Sequence, residues 1–455
     1  MTRPTHRSAE EIGRTEHGPR PLPPLGEPRA GKPPATVDAV LENGLRVIAA
    51  RHGAVPMAEL RLRIPFAGSD PSHPARAEVL AETLLTGTER RNRVQVDTDL
   101  AAVGGDLHAG VDPERLSISG NSLASGLGTL LDVLADALTG AVYAEHEVSG
   151  ERDRLVERIA VARSQPRVIA REELQRHRYG DHPFVREVPQ AEDVAEVTAE
   201  QVRELHRESV LPRGSVLVLV GDIDPEQAVA EAGQRLSGWR ADASAAEIPA
   251  LPEVSGGDVR LVHRPGAVQS QLRFSAQALP RTDPRYPALQ IANLAFGGYF
   301  SSRLVENIRE DKGYTYGAHS SFEFTRDNGT LLVDADTASE VTAAALLETR
   351  YEFGRLALVP PTESEVESAR QYAIGGLLTS TSSQAGLASM LVVLASSGLD
   401  HEWLVEHPGR LRAVTTEQVA EAARLFAPTA FTGVVVGDAD KLSDQLRALG
   451  GVVLP

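Results

Sequence analysis

The chain has 455 residues, no cysteine and a formal net charge of −17 at neutral pH. That length exceeds what one hydrophobic core organises and suits two domains of roughly 200 residues. Without cysteine there are no disulfides, thiol nucleophile or thiolate metal ligands, and the acidic balance argues against a general nucleic-acid binder. No apolar run approaches the 18 or so residues of a membrane span. The first residues also lack the charged-then-apolar layout of a secretory signal. The expectation is a cytoplasmic globular protein with neither a membrane nor a nucleic acid as partner.

Residues 1–37 carry Pro21, Pro23, Pro24, Pro33 and Pro34 among Gly, Arg and Glu, and are expected to be a disordered tail. Alternating runs at 45–50 and 58–65 predict strands, and helical patterns follow near 74–86, 126–138, 147–163 and 198–209. Val216–Val220 is an apolar strand. Residues 243–257, with Pro249, Pro252, Gly256 and Gly257, have linker composition. Strands then return at 259–263 and 270–276, with helices near 285–295, 342–357, 363–378 and 416–426. Between them, Gly297–Gly317 reads as a helix from a Ser301 or Ser302 cap to Gly313, then a strand opening Tyr314-Thr315-Tyr316.

The halves repeat one another. Leu45-Arg46-Val47-Ile48, then Gly53-Ala54-Val55 and Leu60-Arg61, recur as Val259-Arg260-Leu261-Val262, Gly266-Ala267-Val268 and Leu272-Arg273. Val197-Thr198-Ala199-Glu200-Gln201-Val202 recurs as Val414-Thr415-Thr416-Glu417-Gln418-Val419, each followed by an apolar strand ending in Gly-Asp. The order and near-constant offset imply two homologous domains, 38–242 and 258–455, in an α+β fold of one mostly antiparallel sheet with helices per domain.

Arg309, in the last turn of the predicted helix, and Tyr316, seven residues on, would aim a guanidinium and a phenol at one point. With its Ser-Ser-Arg-Leu and Gly-Tyr-Thr-Tyr-Gly frame, this segment resembles the second-domain signature of the pitrilysin/insulinase metallopeptidases, the inverted zincins. The resemblance covers almost everything from 38 to 455 and implies that Arg309 and Tyr316 hold a scissile peptide over a zinc ion bound elsewhere. Tyr314 would share a face with Tyr316 on a regular strand, so geometry leaves it open as a second candidate. The family's tyrosine position matches Tyr316.

Inverted zincins carry His-x-x-Glu-His on a first-domain helix, with a further Glu ligand on a later one. Registering the helix that leads to Thr86-Gly87-Thr88 places Glu78, Ala81 and Glu82 at the His, Glu and His positions. The distal ligand position falls on Arg158, and a one-residue slip would put Glu157 there. Every position that does metal chemistry departs from the pattern, and the expected remnant is a Glu/Arg cluster without metal. His73, His108, His177 and His182 are expected to be structural or exposed. The chain has no Gly-x-Ser-x-Gly elbow, phosphate-binding loop or dinucleotide fingerprint.

The resemblance implies a non-catalytic subunit with no cofactor of its own. It would bind peptide substrate and supply Arg309 and Tyr316 in trans to a zinc-bearing paralogous subunit. The alternative is a structural pseudoenzyme, a scaffold without a role in proteolysis.

Overall fold

A computed structural model describes residues 33–455 apart from 242, 326 and 327. Most of the expected tail lies outside the described residues. Strand β1 (Thr36–Val40) takes in the last two residues of that segment.

Two six-stranded sheets organise the described chain. The first contains β1, β2 (Arg46–Arg51), β3 (Met57–Pro65), β4 (Asp106–Val111), β5 (Arg115–Leu123) and β6 (Val216–Gly221), in the order β1-β2-β6-β3-β5-β4. The second contains β7 (Val259–His263), β8 (Gln269–Gln277), β9 (Thr315–Phe324), β10 (Gly329–Ala338), β11 (Thr432–Gly437) and β12 (Val452–Val453), in the order β12-β7-β11-β8-β10-β9. Five positions correspond, including the parallel pairs β2/β6 and β7/β11 amid otherwise antiparallel neighbours. The outermost strand breaks the match: β1 precedes its sheet and runs antiparallel to β2, whereas β12 comes from the chain's end and runs parallel to β7. This is a two-domain α+β fold.

Alternation explains the core. Ala58, Leu60, Leu62 and Ile64 of β3 face one way into the first core, and Leu272, Phe274 and Ala276 of β8 do the same in the second. By contrast β6 and β11 are buried at every residue, as strands are when both faces are covered. What covers their second faces comes from the opposite half. Leu387, Leu391 and Val392 of helix Gln384–Ser396 pack on Ile48, Val218 and Val220. Ala170 and Leu174 of helix Pro166–Tyr179 pack on Val434 and Val436.

The repeated Thr-x-x-Gln is a capping box in both copies, at Thr198/Gln201 and Thr415/Gln418. The linker is pinned: Val254 packs with Tyr179 and Phe184, and its N–H donates to Gln277 Oε1 at 2.9 Å. Among the described residues seven α-helices escaped the periodicity reading: 93–102, 166–179, 191–195, 225–235, 384–396, 401–413 and 439–449. Among the described residues no single helix is long and apolar enough to cross a membrane.

Candidate functional site

The helix bearing the metal-motif positions runs His73–Thr83, with Pro74 in its first turn. It ends at Thr83, three residues short of the expected end at 86, and Gly87 lies in a β-bridge to Asn92. Ala81 is buried in the first core. Glu78 and Glu82 stand one turn apart, and Glu82 Oε1 lies 2.6 Å from Arg158 Nη2 on helix Glu145–Arg163. The structure thus joins Glu82 and Arg158, two of the residues the resemblance singled out, through a salt bridge. Glu157 is exposed, and Arg158 is the residue that reaches Glu82. Burial, then the neighbouring Glu82 carboxylate, pushes the Glu78 carboxyl up to about 7, with Arg158 pulling the other way.

These residues do not fit a catalytic zinc ion. The ion needs three good protein ligands and an open position for water. Here there is no imidazole, one carboxyl is half protonated near neutrality, and the other is held by a guanidinium. The first-half histidines do not repair this. His73 is buried, its Nε2 2.8 Å from the Phe66 carbonyl oxygen, and burial lowers its basicity. His182 caps a short turn and bonds the Pro249 carbonyl, His177 bonds Thr432 Oγ1 at 2.7 Å, and His108 is exposed on β4. Elsewhere His263, Asp438 and Asp440 bring ligand atoms within 4.8 Å of one another. That cluster is explained by local bonding. His263 Nδ1 accepts the Ala439 N–H, Asp438 caps helix Ala439–Leu449, and Lys441 Nζ lies 3.5 Å from Asp438.

The second candidate is built on an irregular helix. Arg303–Val305 is α-helical and Glu306–Asp311 widens into a π-turn, a rare conformation enriched at functional sites. Ser302 occupies the N-cap position, but its buried hydroxyl makes no capping bond. Gly313 ends the helix at φ +64°, where a side chain would be strained. Gly297 is needed because a Cβ there would come within 2.9 Å of Ser320 Oγ on β9. Arg303 is a buried anchor: it pairs with Glu365 at 2.6 Å and donates to the Val359 carbonyl at 2.8 Å. Burial opposes ionisation of Glu365, but Arg303 and Thr362 overcome it and hold its carboxyl down to about 2.

Arg309 emerges from the π-turn with its side chain 37% exposed. Its Cζ sits 4.9 Å from the Phe300 ring centroid, and its Nε lies 3.5 Å from Glu310 Oε1. β9 starts at Thr315, one residue later than expected, and Tyr314 precedes it with its N–H bonded to the Ile308 carbonyl. A register irregularity between Ala335 and Thr337 lies opposite. The two tyrosines therefore do not share an environment. Tyr314 packs on the second core, whereas Tyr316 is 95% exposed on a strand at the sheet edge. Phe300 is the partner the sequence reading missed, because no spacing rule pairs residues nine apart across a broken helix.

Residues 76–191 match the profile of insulinase (peptidase family M16), and residues 196–372 match that of the peptidase M16 inactive domain. The chain belongs to the M16 family. This M16 chain is 27% identical over 427 residues to an uncharacterized zinc protease of Mycobacterium tuberculosis, covering 90% of this chain and 96% of the relative. It is 23% identical over 392 residues to an uncharacterized zinc protease of Bacillus subtilis, covering 84% and 93%. A Pseudomonas fluorescens peptidase M16 inactive domain superposes with a TM-score of 0.81 at 21% identity, over 89% of this chain and 98% of that one. A Helicobacter pylori protease gives the same TM-score at 16% identity, over 89% and 100%.

Proposed function

We propose that this M16 chain is the non-catalytic subunit of a two-chain zinc peptidase. It binds peptide substrate and presents Arg309 and Tyr316 to a zinc-bearing paralogue, in a cytoplasmic assembly. The observation that carries the reading is Tyr316, a phenol 95% exposed at the start of an edge strand, while the first half holds a salt bridge where metal ligands would be. An exposed phenol can donate to the oxyanion that forms when a peptide carbonyl is attacked. The guanidinium can hold a substrate carbonyl or carboxylate. The free edge of β9 offers backbone groups to an extended peptide. The same reading takes residues 38–242 and 258–455 as two copies of one domain, supported by the five matching strand positions and the paired capping boxes.

A second reading, a scaffold without a role in proteolysis, is favoured by one observation. Arg309 already has partners in Glu310 and Phe300. Steady-state peptide cleavage by the co-purifying zinc-bearing subunit, mixed with wild type or variants, separates the two. Tyr316→Phe is expected to leave assembly intact and lower turnover by about 10². Arg309→Ala is expected to raise KM as well, since it removes a contact made before the transition state. Unchanged rates for both would leave the scaffold reading standing.

A further inference from the structure

Helix Pro166–Tyr179 crosses the face of the second sheet turned away from that sheet's own core, and a cavity of about 360 Å³ lies between them. Its polar lining is Arg167, Arg171, Gln175 and Arg178 from the helix, Arg273 from β8 and Asp334 from β10. Four guanidinium groups and one carboxylate line it, and Glu187, Glu323 and Asp336 outside the lining pair with three of the guanidiniums, leaving Arg167 as the cation in excess.

Gln175 makes this more than a charged crevice. The residue is 1% exposed, and its Oε1 accepts from Arg178 Nε at 3.1 Å and Nη2 at 2.9 Å. Those two bonds fix the amide orientation, so the remaining atom, Nε2, is the NH₂ end. It has no hydrogen-bond partner among the described residues. Leaving such a buried donor unmade costs on the order of 1–3 kcal/mol, and an orphan of this kind calls for an acceptor.

The guanidinium groups around it are already ordered. Arg178 is held by Glu323 and by Ser275 Oγ at 3.0 Å, Arg171 by Glu187 at 2.6 Å, and Arg273 by Asp336 at 2.7 Å. Arg167 bonds the neutral side chain of Gln165 and has no carboxylate within ion-pair reach among the described residues. Asp334, the one lining group opposed to an anion, is tied to Arg273 at 3.2 Å, and burial pushes its carboxyl up.

We propose that this cavity binds a small multivalent oxyanion, phosphate or carboxylate, between the helix of the first half and the sheet of the second. Planar guanidinium forks suit both classes, and the Gln175 amide supplies a neutral donor at the floor. Neither Arg309 nor Tyr316 lines the cavity, so the proposal can fail without touching the peptidase reading.

Calorimetric titration of the full chain at low chloride, with inorganic triphosphate and separately with citrate, tests it. Saturable binding of one anion per chain by either supports the proposal, and the tighter ligand names the class. Arg167→Glu reverses a rim charge without removing a buried contact, and is expected to weaken binding about tenfold or more. Arg176→Glu lies on the same helix outside the lining, where the native side chain pairs with Glu173, and is expected to leave affinity unchanged. No saturable binding of either anion, no effect of Arg167→Glu, or equal weakening by the two variants would overturn the proposal.

Discussion

Glu82 and Arg158 are 76 residues apart in the chain and 2.6 Å apart in space, joined as an ion pair. Its neighbour Glu78 gives a pH signature. Between the ordinary carboxyl value of 4.5 and about 7, the unfolded chain has released the Glu78 proton while the folded chain retains it. Stability therefore falls as pH rises through that window. Glu78→Gln is expected to raise stability by about 2 kcal/mol near pH 8 and to change little near pH 4. Urea unfolding at the two pH values checks this; the same gain at both would assign it to packing. His407 works with the opposite sign. Burial, then Arg410, lowers it from 6.5 to about 4, so its contribution is complete above 6.5 and is lost as pH falls toward 4.

At the scale of elements, helix His73–Thr83 can be given the residues of a metal motif. The wild-type chain is expected to hold no stoichiometric zinc. Glu78→His, Ala81→Glu and Glu82→His together are expected to fall short, because Arg158 still sets a positive charge where the third ligand belongs. Adding Arg158→Glu to the three should raise retained zinc, read by elemental analysis after dialysis. Full zinc occupancy without the change at 158 would mean the register is wrong. Helix Gln384–Ser396 poses a packing question, since Leu391 is 3% exposed against the first sheet. Leu391→Ala is expected to cost about 2–4 kcal/mol in denaturant unfolding, the range for a large-to-small change in a core.

The whole molecule is tied together by reciprocal cover: each half lends one helix to the other's sheet. Neither sheet would keep its central strands dry alone. The two halves are therefore expected to unfold in one transition, and either half produced separately should expose an apolar sheet face and aggregate. Calorimetry checks the first expectation: a calorimetric enthalpy well above the van't Hoff value, or two resolved peaks, would refute it. Arg178 adds a polar tie between the halves, since it pairs with Glu323 while its side chain is only 1% exposed. Arg178→Leu should destabilise by about 2 kcal/mol, because it breaks the buried pair and leaves Glu323 with Arg171, at 3.2 Å, as its ion-pair partner.

How much of this was legible depended on whether the signal was local. The β3 and β8 strands and the helix stop at Gly313 were readable because alternation and a left-handed glycine act within a few residues. The placing of Glu78, Ala81, Glu82 and Arg158 came through resemblance alone, and the structure adds that two of these residues, Glu82 and Arg158, are paired. Helices such as Pro166–Tyr179 and Gln384–Ser396 were not readable. Each meets a sheet of the other half, so its apolar residues follow a partner absent from any local window. The same holds at the candidate site. The sequence by itself singled out Arg309 and Tyr316 and left Tyr314 open. Only the tertiary structure separated the tyrosines, because the strand's late start and the irregular register are set by pairing with β10. It alone seated Arg309 against Phe300 and left the Gln175 amide facing a ring of arginines, since contacts between distant segments are decided by packing and not by spacing along the chain.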